Sequence, residues 1–152
     1  MHPEPPPPSG LNHLTLAVSD LDRAFDFYVR VLRCRPRARW ARGAYLSAGS
    51  LWLCLSLDAR AEPRADCTHV ALGADPSTMD PWRERLAAAG VPLWKENASE
   101  GDSIYFLDPD GHRLELHAGD LESRLEAVRE APYEAMELFD PAPSAPRRAV
   151  AP

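Results

Sequence analysis

The sequence predicts an α+β fold made of two β-α-β-β-β units, flanked by a proline-rich tail at each end. Three observations carry this. The order of elements runs through once over residues 11–57 and again over 67–118. One spacing repeats, since Leu46 to Cys54 and Leu107 to Glu115 are both 8 residues, which aligns "WLCLS" with "RLELH". Finally, nine of the 16 prolines lie in 1–8 and 141–152, where no apolar periodicity is present to offset the entropy of ordering.

The first unit opens with "LNHLTLAV", in which Leu14, Leu16 and Val18 alternate with His13, Thr15 and Ala17, the period of a half-buried strand. "SDLDRAFDFYVRVL" follows as a helix, with Ser19 and Asp22 set as a capping box and Leu21, Phe25, Tyr28 and Leu32 on one stripe. Two short strands, "AYLSA" and "SLWLCLSL", then join near Gly49. The second unit repeats the order. "THVALG" is its first strand, and "STMDPWRERLAAAG" its helix, with Pro81 in the first turn and Gly90 at the end. "VPLWK" is a strand, and "SIYFLD" with "HRLELHA" is a hairpin across "DPDG". From His13 to Leu46 is 33 residues and from His69 to Leu107 is 38, so the second unit carries about five more, which the reading places in the loop "KENASEGDS". The expected organisation is a tail over 1–10, units over 11–57 and 67–118 with a linker at 58–66, a C-terminal helix and exit over 119–136, and a second tail over 137–152.

Composition narrows the function. A net charge of −6 argues against a general nucleic-acid or anionic-membrane surface while leaving room for a local cationic pocket. No apolar run has the length of a membrane span, and the N-terminus lacks the apolar core of a secretory signal. Cys34, Cys54 and Cys67 are odd in number and lack Cys-x-x-Cys spacing, so they read as reduced thiols of a cytoplasmic protein.

The repeat places His13 and His69 at matching positions and Glu115 on the last strand of the second unit, opposite Cys54 in the first. Two imidazoles and a carboxylate suit Mn²⁺, Fe²⁺, Ni²⁺ or Zn²⁺ and leave positions open for substrate. His117 shares the face of Glu115 and is the rival ligand; His2 and His112 lack the placement. Each of these histidines also has a plain structural reading as a surface or core residue. Lys95, Ser99, Ser103, Tyr105 and Arg124 are hydrogen-bond donors suited to a phosphate or phosphonate, against the alternative of a solvated loop and a surface arginine. Cys54 reads as a small core residue rather than a nucleophile.

The segments "LNHLTLAVSDLDRAFDFY", "GAYLSAGSLWLCLS", "DCTHVAL" and "WKENASEGDSIYFLDPDGHRLELHAGDLESRL" resemble the metal-dependent fosfomycin-resistance thiol transferases of the glyoxalase, or vicinal-oxygen-chelate, superfamily. The resemblance implies paired modules forming incomplete barrels in a module-swapped homodimer, with His13 from one chain and His69 and Glu115 from the other holding Mn²⁺. It implies fosfomycin as substrate and glutathione as thiol donor. It implies Lys95, Ser99, Tyr105 and Arg124 on the phosphonate, Thr15 near the epoxide oxygen, and Tyr45 and Trp52 lining the pocket. It further implies K⁺ held by Asn97, Ser99, Gly101 and Ser103. Relatives using a bacillithiol-type thiol tend to carry Cys at the position of Thr15, and those using water a Glu where this chain reads "ARGAYL". Both points favour glutathione. Cys67, Val70 and Ala98 depart from the family pattern. The competing expectations are another metal-dependent reaction of the superfamily (hydrolysis, isomerisation or dioxygenation) and a non-enzymatic drug-binding dimer.

Overall fold

The computed structural model describes residues 5–139. The expected tails lie partly outside that range, at 1–4 and 140–152; residues 5–10 and 137–139 carry neither helix nor strand. The described chain divides into a unit ending at Gly119 and a unit beginning at Asp120.

In the first unit, β1 (His13–Val18), α1 (Leu21–Asp26), β2 (Arg35–Trp40), β3 (Gly43–Ala48) and β4 (Leu51–Leu57) make the first module. Its sheet has the order β1-β4-β3-β2, with β1 parallel to β4 and the other pairs antiparallel. The second module repeats this with β5 (Val70–Gly73), α2 (Met79–Ala88), β6 (Leu93–Lys95), β7 (Asp102–Leu107) and β8 (Arg113–Ala118), in the order β5-β8-β7-β6. Neither four-stranded sheet closes into a barrel. β1, β3, β4, β7 and β8 send alternate side chains to one core, while β2 is exposed along its whole length. Leu16, Val18, Leu46, Leu53, Leu55, Ile104, Phe106, Leu114 and Leu116 pack there with Tyr28, Met79 and Leu86 of the helical segments. Burying a side chain such as Phe106, wholly inaccessible, contributes about 1.5–3 kcal/mol. The positions between them form the opposite face of each sheet.

The register confirms the internal repeat and adjusts it. Thr15 pairs with Cys54 and Ala71 with Glu115, so His13 and His69, each two residues earlier, are equivalent. The hairpin alignment shifts by one residue: Tyr45 pairs with Cys54 and Tyr105 with Glu115, so the counterpart of Leu46 is Phe106, not Leu107. The physical cause is a longer β7–β8 turn. The extra chain before it falls mainly in the β6–β7 connection, 96–101, against 41–42 between β2 and β3.

Two local expectations are corrected. The cap of α1 is Asp20, whose carboxylate accepts from the Arg23 amide at 3.0 Å, rather than a Ser19/Asp22 box. Ser19 is not available, because its amide and hydroxyl both donate to Asp110 of the second module. The helix also does not stay α-helical. Phe27–Val31 form a π-helical segment, with the Leu32 amide donating to the Phe27 carbonyl, and Phe27 and Tyr28 both turn inward, edge to face at 5.3 Å. Phe27 joins the core, while Phe25, assigned to the stripe, lies half-buried under the Arg39 guanidinium.

The modules are fastened at the β7–β8 turn. The Tyr28 hydroxyl donates to Asp108 Oδ2 at 2.7 Å, and the amides of Asp110 and His112 donate to Asp108 Oδ1. His112 Nε2 donates to the Ala17 carbonyl at 2.7 Å. Burial raises the Asp108 carboxyl above the ordinary 3.8 despite these bonds, and raises Tyr28 well above its usual value. Gly111, with φ of +81°, closes the turn so tightly against Pro63 that a Cβ would lie 2.6 Å from the proline ring.

The second unit contains α3 (Leu121–Glu130), started by a capping box in which Asp120 accepts from the Ser123 amide and the Ser123 hydroxyl is the acceptor for the Asp120 amide. Arg124 lies in its first turns, half-buried. No helix among the described residues is long and apolar enough to cross a membrane.

Candidate metal and substrate site

The face of the second sheet turned away from the core carries Glu115 and His117 from β8, Ser103 and Tyr105 from β7, and Lys95 from β6, with His69 just before β5. His69 Nε2 stands 3.0 Å from Glu115 Oε2. His69 Nδ1 is 2.8 Å from the Cys67 carbonyl, which can only accept, so Nδ1 carries the ring proton. A neutral His69 then presents a lone pair to a carboxylate oxygen. Two such acceptors need a proton or a cation between them. The donor set and its carbonyl support therefore fit a divalent metal.

Glu115 is 6% exposed, and its other oxygen accepts from the Ser103 hydroxyl at 2.6 Å. Ser103 Oγ also meets His117 Nδ1 at 2.8 Å. Around this centre Trp94 packs on His69 (5.7 Å between ring centroids) and on Tyr105 (5.3 Å), and its indole donates to the Leu114 carbonyl. Lys95 Nζ lies 4.8 Å above the Tyr105 ring and the Arg113 guanidinium 4.9 Å above Trp94, so a cation covers each of the two aromatic rings packed against His69.

The connection 96–101 is pinned by Asn97. Its amide donates to the Gly101 carbonyl at 2.8 Å, and its oxygen accepts from the Ser99 amide at 3.2 Å and the Ser99 hydroxyl at 3.3 Å. These are hard oxygens, of the kind a monovalent cation takes.

The other sequence-derived positions lie elsewhere. His13 begins β1 in the first sheet, tilted against Trp52 with ring centroids 4.7 Å apart and hydrogen-bonded to Asn12. Thr15 and Tyr45 flank Cys54 on the same face as His13 and Trp52. Tyr45 meets Trp52 at 5.3 Å and Trp40 at 4.7 Å, giving a partly exposed aromatic row. Among the described residues no three His, Cys, Asp or Glu side chains converge on a point within the chain. The chain thus brings His69 and Glu115 together and leaves His13 on a separate sheet. Sequence reasoning missed Trp40 and Trp94. Trp94 sits at the β6 irregularity between Leu93 and Lys95, where strict alternation fails; its only signal was adjacency to Lys95.

The class follows from fold and site together: paired βαβββ modules with a His/carboxylate pair on one sheet face. The family model "Glyoxalase/Bleomycin resistance protein/Dioxygenase superfamily" matches residues 10–116. The chain is 51% identical over 130 residues to the glutathione transferase FosA of Serratia marcescens, covering 83% of this chain and 92% of that protein. It is 40% identical over 124 residues to the metallothiol transferase FosB of Shouchella clausii, with 77% and 85% covered. The crystal structure of the fosfomycin resistance protein FosX of Listeria monocytogenes with Mn(II) and sulfate superposes with a TM-score of 0.69 at 31% identity, over 79% of this chain and 98% of that one. The chain belongs to the glyoxalase superfamily and, within it, to the Fos fosfomycin-resistance family.

Proposed function

We propose that the protein is a Mn²⁺-dependent, K⁺-activated transferase that adds glutathione to the epoxide of fosfomycin. The observation that carries this is the His69–Glu115 pair at 3.0 Å, set beside Lys95 and Tyr105 on one sheet face. A metal bound there supplies Lewis-acid polarisation of a substrate oxygen. The 51% identity to a glutathione transferase supports the choice of thiol.

In this reading Lys95, Ser99, Tyr105 and Arg124 hold the phosphonate, and their charge offsets repulsion of the incoming thiolate. The Thr15 hydroxyl donates to the epoxide oxygen as negative charge develops on it. The new S–C bond forms at the carbon bearing phosphorus as the C–O bond breaks, the thiol gives its proton to solvent, and the oxygen takes one back from solvent to end as a hydroxyl. Tyr45 and Trp52 wall the substrate. Oxygens of Asn97, Ser99, Gly101 and Ser103 hold K⁺. His13 completes the metal set from a second chain, which makes the enzyme a homodimer; its isolation on the first sheet supports this division. Cys34, Cys54 and Cys67 are all free, which supports a cytoplasmic setting.

The test is mass spectrometry of fosfomycin incubated with glutathione and the protein, with and without Mn²⁺ and K⁺. The expected product is the glutathione adduct, formed with Mn²⁺ and faster with K⁺. A diol would reassign the nucleophile to water, and no product under any metal condition would remove the enzymatic reading.

A further inference from the structure

We infer that His117 is a positioning residue for the metal carboxylate and acts through Ser103. The inference rests on the reading of His69 and Glu115 as metal ligands. Ser103 has one hydroxyl proton. At 2.6 Å from Glu115 Oε1, a carboxylate oxygen that can only accept, that proton is donated to Glu115. The remaining contact of Ser103 Oγ, to His117 Nδ1 at 2.8 Å, must then be an N–H donated by the imidazole. His117 thus fixes the serine rotor, and the serine fixes which oxygen Glu115 keeps for its neighbour and which it turns to His69.

His117 itself stays 3.5 Å from Glu115 Oε1, too long for a hydrogen bond, so its influence passes through the serine. The ring is also held from the loop side. Gly101, with φ of +80°, packs so close that a Cβ there would lie 2.7 Å from the His117 ring and 3.0 Å from the Ala118 carbonyl. The 96–101 connection therefore clamps the imidazole that orients the ligand. The position read from sequence as a rival ligand becomes the support of the ligand two residues before it.

The experiment titrates Mn²⁺ into the full chain, following free Mn²⁺ by electron paramagnetic resonance, with folding checked by circular dichroism. Removing this outer partner in His117→Phe should weaken Mn²⁺ binding about 10–100-fold. His117→Asn, whose amide places an N–H near the position of Nδ1, should restore affinity to within about threefold of the wild type. Ser103→Ala should match His117→Phe, and the double variant should lose no more than either. Unchanged affinity in His117→Phe beside a wild type that binds overturns the inference alone. An Asn variant as weak as the Phe variant also overturns it, because it points to direct ligation by the imidazole. Additive losses in the double variant do so too, because His117 would then act by another route. A wild type that binds no Mn²⁺ overturns the metal reading and this inference with it.

Discussion

At the scale of single residues, the site depends on how few choices each polar group has. The Cys67 carbonyl leaves His69 one tautomer, and Ser103 leaves Glu115 one free oxygen. Glu115→Gln keeps an oxygen for Ser103 and removes the charge, so the fold should persist while Mn²⁺ affinity falls by more than the about 100-fold upper range of an outer-partner change. Equilibrium dialysis with Mn²⁺ checks this, and retained affinity would show that Glu115 is not a ligand. The pairing of His69 with Glu115 was legible because the repeat placed both. The role of His117 was not, since spacing reports which face a side chain occupies but not which of two oxygens its neighbour presents.

At the scale of elements, strands with one face in the core announced themselves. β1, β4, β7 and β8 each carry alternating apolar side chains, and each was readable from that pattern. β2 was not, because "RPRARW" is exposed at every position and offers no alternation. The π-helical segment escaped for a related reason: its wider closure, from the Leu32 amide to the Phe27 carbonyl, breaks the 3.6 period on which the stripe is drawn. The β7–β8 turn looked like an ordinary "DPDG" reversal, yet it carries a buried carboxylate. Because burial holds the Asp108 carboxyl above 3.8, its protonated form favours the folded state. That contribution is complete below 3.8 and lost as pH rises through the folded value. The opposite contributions of Asp58, Asp66 and Asp75, all lowered by local hydrogen bonds, are common to both proteins and cancel in the comparison. Urea denaturation of wild type and Asp108→Asn from pH 7 to pH 4 should show the wild type gaining relative to the variant as pH falls. A gap that shrinks toward acid would show the carboxylate to be the favoured native form.

At the scale of the whole molecule, the sequence specified both modules but not which side chains meet within one chain. Register ties His13 to His69 by symmetry, and that symmetry is what sets them on different sheets. If the metal set is shared between two chains, mixing His13→Ala with His69→Ala should regenerate intact sites in mixed dimers. Random exchange predicts recovery of about a quarter of wild-type activity, since half the dimers are mixed and each holds one unaltered site. Activity measured after co-refolding the two variants checks this. No recovery above the separate variants would return the site to a single chain.

The fastening at the β7–β8 turn bears on how such a chain is inherited. Two modules with the same layout invite the idea that halves can be shuffled between relatives. Asp110 is held by Ser19, Asp108 by Tyr28, and Ala17 by His112, so the contacts run from one half of the gene to the other. A recombinant joined between the modules keeps both sheets but brings together a turn and a helix from different lineages. Its viability is decided at those few partners, however well each half folds around its own sheet.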